Sequence, residues 1–98
     1  MKYLLIIFLS INTFLYAQGP IEDFFEGEYK DFDDYKAFAV AINDSTGAWA
    51  LGQMNNAPTQ TVAKNVALKN CKKSAEKYKV NRKCKLYAVG DKKVYSNY

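Results

Sequence analysis

Two cysteines and the absence of histidine define the chemistry that is open to this chain of 98 residues. Cys71 and Cys84 have twelve residues between them. In an exported chain this pattern predicts a disulfide, which at that loop length stabilises a fold by about 3 kcal/mol. Two free thiols are the alternative. Zinc is disfavoured, because two thiolates without histidine do not complete a tetrahedral ligand shell.

The side chains that most enzymes use are scarce in this sequence. Without histidine, the Ser-His-Asp and Cys-His arrangements of nucleophilic catalysis are excluded, and the usual general base near neutral pH is missing. Beyond residue 35 the carboxylates are Asp44, Glu76 and Asp91, which are typical of turns and helix surfaces. The acidic run 31–34 lacks the glycine and the distal glutamate of a calcium-binding loop. We therefore predict a protein that is not an enzyme and that uses neither a cofactor nor a metal.

Basic side chains are concentrated between residues 64 and 85. This cluster consists of Lys64, Lys69, Lys72, Lys73, Lys77, Lys79, Arg82, Lys83 and Lys85. A basic patch with tyrosines nearby is typical of polyanion-binding surfaces. Lysine dominates, however, whereas bidentate phosphate recognition favours arginine. We expect a solvated helix face, and we keep polyanion binding through Lys69, Lys72, Lys73 and Lys77 as the alternative.

The N-terminus has the form of a signal peptide. Lys2 precedes an uncharged stretch, residues 4–16, which is shorter than the roughly 20 residues of a membrane-spanning helix. The small residue Ala17 ends the stretch and marks the expected cut. An uncleaved anchor is the alternative. We predict a periplasmic or secreted protein, with no stable membrane insertion after cleavage.

An acidic segment rich in aromatics follows the expected cut. Residues 18–35 carry seven acids against Lys30, a net charge of −6, whereas residues 36–98 have a net charge of +9. The apolar residues of this arm fall near helical spacing, although Gly27 weakens a helix by about 1 kcal/mol relative to alanine. An extended arm packed on the domain is the alternative. The arm residues predicted to bind a partner are Phe24, Phe25, Phe32 and Tyr35.

From residue 36 the hydrophobic pattern predicts a small α+β domain. Residues 36–43 alternate in the period of a strand, residues 44–47 form a type I turn that begins at Asp44, and residues 48–54 return as a second strand. Thr59 is an N-cap for a helix that runs to about Tyr78. A third strand over 84–89 and a short fourth strand around 93–95 complete the order β-β-α-β-β. The sequence thus divides into a signal peptide (1–17), an acidic aromatic arm (18–35) and a domain (36–98).

One helix covers only one face of a sheet, so the other face needs a second cover. The apolar stripe of the predicted helix consists of Val62, Ala63, Val66, Ala67, Cys71, Ala75 and Tyr78. Small Ala37, Ala39 and Ala41 allow this helix to approach closely, which leaves Phe38, Val40 and Ile42 on the opposite face. Either the arm covers them or a partner or second copy does. We favour the arm.

Four stretches resemble a family of small exported bacterial domains of uncharacterised function. They are Ala37-Phe38-Ala39-Val40-Ala41, Gly47-Ala48-Trp49, the helical Ala67-Leu68-Lys69-Asn70-Cys71, and Cys84-Lys85-Leu86-Tyr87-Ala88-Val89. The resemblance covers roughly residues 36–95 and implies a secreted α+β domain. It implies no catalytic residues, and the acidic arm lies outside it.

These observations favour a non-enzymatic protein-binding module of the bacterial envelope, of the inhibitor or accessory-subunit type. The expected partner is another envelope protein, contacted through the aromatic arm, a face of the sheet or both. Homodimer formation through the same surfaces is left open. The alternative function is binding of a polyanion or of the envelope surface by the lysine-rich helix face.

Overall fold

The computed structural model describes residues 18–95, in which one antiparallel sheet carries a helix on each face. The predicted signal peptide, residues 1–17, lies outside the described residues. The elements in chain order are α1 (Gln18–Glu26), a 3-10 turn (Tyr29–Asp31), β1 (Ala37–Ile42), β2 (Trp49–Met54), α2 (Gln60–Lys77), β3 (Lys85–Val89) and β4 (Lys92–Lys93). The α+β class and the order β-β-α-β-β after the arm are therefore confirmed.

The four strands lie in the order β2-β1-β3-β4, so that β1 is central and β2 is an edge strand. Val40 pairs with Leu51 on one side of β1 and with Lys85 on the other. The third strand begins one residue later than predicted, and the fourth strand covers 92–93 instead of 93–95. The amides of Val94 and Tyr95 both donate to the Tyr87 carbonyl instead of extending β4.

The turn between β1 and β2 begins one residue earlier than predicted, at Asn43 instead of Asp44. The amides of Thr46 and Gly47 donate to the Asn43 carbonyl oxygen, at 3.3 and 2.8 Å. The Asn43 side chain accepts a third hydrogen bond, from the Ser45 amide at 3.0 Å. A side-chain amide that bonds to the backbone two residues on fixes this turn. Gly47, at φ +77°, supplies the left-handed residue that returns the chain to β2.

Helix α2 packs on the sheet through a row of small residues. Thr59 caps its N-terminus by accepting from the Val62 amide at 3.1 Å, as predicted. The buried row is Ala63, Ala67, Cys71 and Ala75, spaced four residues apart. Gly52 of β2 lies directly beneath it, because a Cβ there would overlap the Cys71 amide nitrogen and lie 2.5 Å from the Ala67 carbonyl oxygen. Helix and strand backbones are therefore in contact at this point.

The expectation that Tyr78 belongs to the buried stripe is wrong, since 63% of its surface is exposed. Tyr78 is the C-cap of α2, and Lys79 then takes a left-handed conformation at φ +56°. This turn brings Val80 back over the helix, where its amide donates to the Ala75 carbonyl at 2.8 Å. Val80 thus takes the buried position that the helical spacing assigns to Tyr78.

The arm covers the other face of the sheet. Ile21, Phe25 and Tyr29 are buried there against Phe38 and Tyr87. The Phe38 ring centroid lies 4.7 Å from that of Tyr29 and 4.8 Å from that of Tyr87, within the range of favourable ring pairs. Of the two covers considered for Phe38 and its neighbours, the chain's own arm is the one observed.

Two links tie the outer elements to the sheet. The predicted disulfide Cys71–Cys84 is present, with a Cα–Cα distance of 6.1 Å, and joins α2 to the residue before β3. At the other end, the buried Lys36 ammonium holds the arm: it donates to the carbonyl oxygens of Tyr29 (3.0 Å) and Lys30 (3.1 Å). The Asp91 carboxylate lies 2.7 Å from the same ammonium, which compensates the buried charge.

Candidate functional site

The outer edge of β2 is the first candidate site. The Asn43 amide donates to the Ala48 carbonyl at 2.8 Å, which fixes the phase of the hydrogen bonds between β1 and β2. Ala50 and Gly52 therefore direct their backbone groups to β1, whereas Trp49 and Leu51 direct theirs outward. Within residues 18–95 no other strand pairs with this edge. The backbone groups of Trp49 and Leu51 are a template for an additional strand, whereas the outward carbonyl of Gln53 already accepts a hydrogen bond from the Asn70 side chain at 3.1 Å.

A groove of about 720 Å³ runs along this edge, between α1 on one side and α2 on the other. We call it the edge groove. Its lining residues are Pro20, Asp23, Phe24, Gly27, Glu28, Trp49, Ala50, Leu51, Ser74 and Tyr78. Three aromatic rings and one leucine give it an apolar wall, and two carboxylates, Asp23 and Glu28, lie on the α1 side. The groove therefore combines an open strand edge with apolar and acidic side chains.

The four arm residues predicted to bind a partner lie in different environments. Phe24 lines the edge groove and stacks edge-on against Phe38, with ring centroids 5.0 Å apart. Phe25 is buried in the core, and Phe32 is half-buried against the ring of Phe24. Tyr35 is 47% exposed and does not line the groove. The partner-binding role of the four stays a prediction, and the structure brings only Phe24 to the edge groove.

Among the groove residues that were not predicted from the sequence are Trp49, Leu51 and Tyr78. The alternation of β2 places Trp49 and Leu51 on one face of the sheet, which the sequence does contain as a signal. It does not reveal that β2 is the edge strand, because strand order depends on long-range pairing. The exposure of Tyr78 depends on the left-handed conformation of Lys79. The sequence gives no signal for this conformation, because glycine is the residue that usually indicates it.

A second groove, of about 770 Å³, lies between the C-terminal half of α2 and the segment that leads to β3. We call it the basic groove. Its lining residues are Leu68, Lys72, Ala75, Glu76, Lys79, Val80, Asn81, Arg82, Lys83 and Cys84. Four of them are cationic and one is acidic. Of the four lysines predicted as a polyanion site, Lys72 lines this groove, while Lys69, Lys73 and Lys77 are exposed on α2 outside it.

The titratable groups with shifted pKa values lie around the arm. Burial raises the pKa of the Tyr29 hydroxyl well above its usual range, and the nearby carboxylates Asp34 and Asp91 raise it further. That hydroxyl is buried without a hydrogen-bond partner. A hydrogen bond with Tyr87 and the carboxylate of Glu22 raise the pKa of Lys93, whose exposed ammonium links β4 to α1. Neither group has the lowered pKa that would make a nucleophile at neutral pH.

Two other features are absent from residues 18–95. No group of three or more cysteine, aspartate or glutamate side chains is placed to hold a metal ion there. No helix in the same part of the chain is long and apolar enough to cross a membrane.

Comparison of the chain with protein-family models, curated proteins and solved structures found no match. The resemblance to small exported bacterial domains therefore stays a prediction.

Proposed function

We propose that this protein is a non-enzymatic protein-binding module that captures an extended peptide segment in the edge groove. The segment would add to β2 as a further strand, using the outward backbone groups of Trp49 and Leu51 for main-chain hydrogen bonds. The observation that carries the proposal is the position of this open edge at the floor of a groove between two helices.

The side chains of the groove indicate what the captured segment is like. In an added strand, alternate side chains point to the same face of the sheet. On the α1 face they would meet Phe24 and Trp49, which favours apolar side chains at every second position. Asp23 and Glu28 at the same face favour a lysine or arginine near one end. The proposed partner therefore presents an alternating apolar segment flanked by a basic residue.

Two further observations support a binding protein of the envelope. The absence of histidine from the sequence removes the commonest catalytic base, which favours binding over catalysis. The Cys71–Cys84 disulfide suits an oxidising compartment. Together with the signal-peptide pattern of residues 1–17, it supports a periplasmic or secreted location, and a partner in the same compartment is part of the proposal.

The experiment that tests this proposal uses Trp49, the single tryptophan of the chain, as its reporter. Peptides are selected from a random displayed library against the oxidised protein that begins at Gln18, and their binding is followed by Trp49 fluorescence. Each peptide is then resynthesised with one backbone amide methylated at a time. Strand addition predicts that methylation at alternate amides abolishes binding, while methylation at the amides in between is tolerated. Equal tolerance at all positions would contradict strand addition.

A matched pair of tyrosine variants locates the binding site. Tyr78 is 63% exposed and lines the edge groove, and Tyr35 is 47% exposed and does not. We expect Tyr78→Ala to weaken peptide binding about tenfold, as for an aromatic contact worth about 1.4 kcal/mol, and Tyr35→Ala to leave it unchanged. Selected peptides that lose affinity only with Tyr35→Ala would place the site on the arm instead.

The alternative function, polyanion binding, is favoured by one specific observation, the basic groove. Only Lys72 of the four lysines predicted for it takes part in that groove. Its three other cationic residues, Lys79, Arg82 and Lys83, come from the segment after α2, so an anion site would be centred on this segment and not on the helix face.

A further inference from the structure

The end of α2 places a lysine where glycine is the usual residue. The Lys79 amide donates to the Glu76 carbonyl at 3.3 Å and the Val80 amide donates to the Ala75 carbonyl at 2.8 Å. These two bonds form a Schellman motif, whose left-handed position strains a residue that has a Cβ. Lys79 occupies that position at φ +56°. Of the two described residues other than glycine in this conformation, Asn56 and Lys79, Lys79 lines the basic groove, and strained residues of this kind cluster at ligand sites.

The segment that carries three of the groove's four cations is held at both ends. The Schellman motif fixes its start, where Val80 is buried, and the disulfide fixes its end at Cys84. Between them, the Arg82 amide donates to the Val80 carbonyl at 2.8 Å and its guanidinium donates to the Asn81 carbonyl at 2.6 Å. The backbone that presents these cations is therefore preorganised, which lowers the entropy lost on binding a ligand.

We infer that the basic groove binds the phosphate headgroup of an anionic lipid at a membrane surface. Four cations face a single acid, Glu76, so the groove attracts negative charge. Its apolar lining residues are Leu68, Ala75, Val80 and Cys84, and they suit the first part of an acyl chain. A ligand with a negative head and an apolar tail matches both features.

The same lining disfavours a nucleic acid. None of the described residues that line the basic groove is aromatic, so bases have no ring to stack on. Three of the four cations are lysines, which act as point charges and suit a fluid anionic surface better than bidentate phosphate recognition.

The charge distribution orients the molecule for this role. The sheet separates the basic groove, on the side of α2, from the acidic arm, whose net charge is −6. An anionic membrane surface attracts the first and repels the second. Helix α2 also separates the two grooves: Ser74 and Tyr78 face the edge groove, and Lys72 and Glu76 face the basic groove. Lipid binding is therefore independent of the peptide binding proposed above.

The test measures cosedimentation of the oxidised protein with phosphatidylcholine vesicles, with and without phosphatidylglycerol. A variant with Lys72, Lys79, Arg82 and Lys83 all changed to Gln is compared with a control that changes Lys69, Lys73, Lys77 and Lys92 to Gln. Both sets remove the same charge, but only the first lines the groove. At about fivefold per cation, we expect the groove variant to lose more than about 100-fold in binding to anionic vesicles. The control should lose far less.

Three outcomes would overturn the inference. Equal losses in both variants would show a diffuse charge effect without a groove. Binding that does not depend on phosphatidylglycerol would exclude an anionic headgroup. Displacement of the protein from vesicles by millimolar inorganic phosphate would identify a free anion as the ligand in place of a lipid.

The single variant Lys79→Gly separates binding from structure. It relieves the left-handed strain, so its melting temperature should rise, while the loss of one cation should weaken vesicle binding about fivefold. If Lys79 has only a structural role, Lys79→Gly will raise the melting temperature and leave vesicle binding unchanged. That result would contradict a place for Lys79 in the binding site.

Discussion

The two faces of the sheet are packed by opposite means. On the α2 face, alanines and Gly52 let the backbones of helix and strand touch, so that the separation of the layers is set by the backbone. On the arm face, large rings fill a wider gap, with Phe38 in contact with four other aromatic side chains. The first face is sensitive to added atoms and the second to removed ones. The domain thus contains two cores, one destabilised by larger side chains and the other by smaller ones.

This difference also explains where the edge groove lies. A helix held close to the sheet on one face and a helix held away by rings on the other leave unequal space beside β2. The groove forms there, with Ser74 and Tyr78 from the close layer and Phe24 from the distant one. The aromatic side chains of the arm therefore pack mainly in the core, and Phe24 is the one among them that also lines the edge groove.

The largest effect is expected from truncation on the arm face. Phe38→Ala removes a fully buried ring from the centre of the aromatic cluster and should lower the free energy of unfolding by about 3–5 kcal/mol, through lost burial and a cavity. Phe38→Leu keeps most of the volume and should cost less than about 1.5 kcal/mol. Urea denaturation of the oxidised protein measures both. Equal costs for the two variants would contradict a core that depends on filled volume.

Enlargement should be nearly as damaging on the α2 face. Gly52→Ala adds one methyl group where the helix backbone already lies, and overpacking of this kind costs about 1–3 kcal/mol. The control is Gly19→Ala in α1, where an added Cβ meets nothing within 4 Å. That variant should be neutral or gain up to about 1 kcal/mol from helix propensity. Thermal melts of the oxidised protein measure both variants, and a neutral Gly52→Ala would contradict the close contact between helix and strand at this position.

The smallest effect concerns a polar atom inside the aromatic core. Tyr29→Phe removes a buried hydroxyl without a partner and should raise the free energy of unfolding by about 1 kcal/mol at neutral pH. The folded pKa of Tyr29 is raised, so the folded state retains this proton after the unfolded chain has lost it. The contribution of this raised pKa to the free energy of unfolding is therefore complete below pH 10. At higher pH it declines, by up to about 1.4 kcal/mol per pH unit.

Denaturation of wild type and Tyr29→Phe from pH 8 to pH 11 checks this sign. The wild type should lose stability more steeply above pH 10, because the substituted side chain has no hydroxyl proton to lose. Parallel curves for the two proteins would contradict the burial of an unpartnered hydroxyl at this position.

Local patterns predicted the elements of the fold well. The alternation in β1 and the N-cap Thr59 each depend on neighbours in sequence, and both are where the pattern places them. The position of Phe38 opposite the alanines also follows from alternation, and it correctly indicated that a second cover was needed. The disulfide followed from two cysteines in a chain with a signal-peptide pattern.

Features that depend on distant contacts could not be predicted in this way. A lysine at the start of a strand is ordinarily a surface residue, yet Lys36 is buried, because carbonyls of the 3-10 turn and Asp91 surround its ammonium. Asp91 comes from the turn between the last two strands. The basic groove depends on Lys79 in a left-handed conformation. Both grooves form where separate elements meet. The sequence shows the residue types that line them, but it does not show which of these residues come together.

Amide hydrogen exchange shows whether an extended peptide adds to the open edge of β2. Exchange is followed residue by residue by NMR, with and without a peptide selected through Trp49 fluorescence. Strand addition predicts that the outward amides of Trp49 and Leu51 become protected when the peptide binds, while those of Ala50 and Gly52, already bonded to β1, change little. Bound peptide with no added protection at Trp49 and Leu51 would contradict strand addition at this edge.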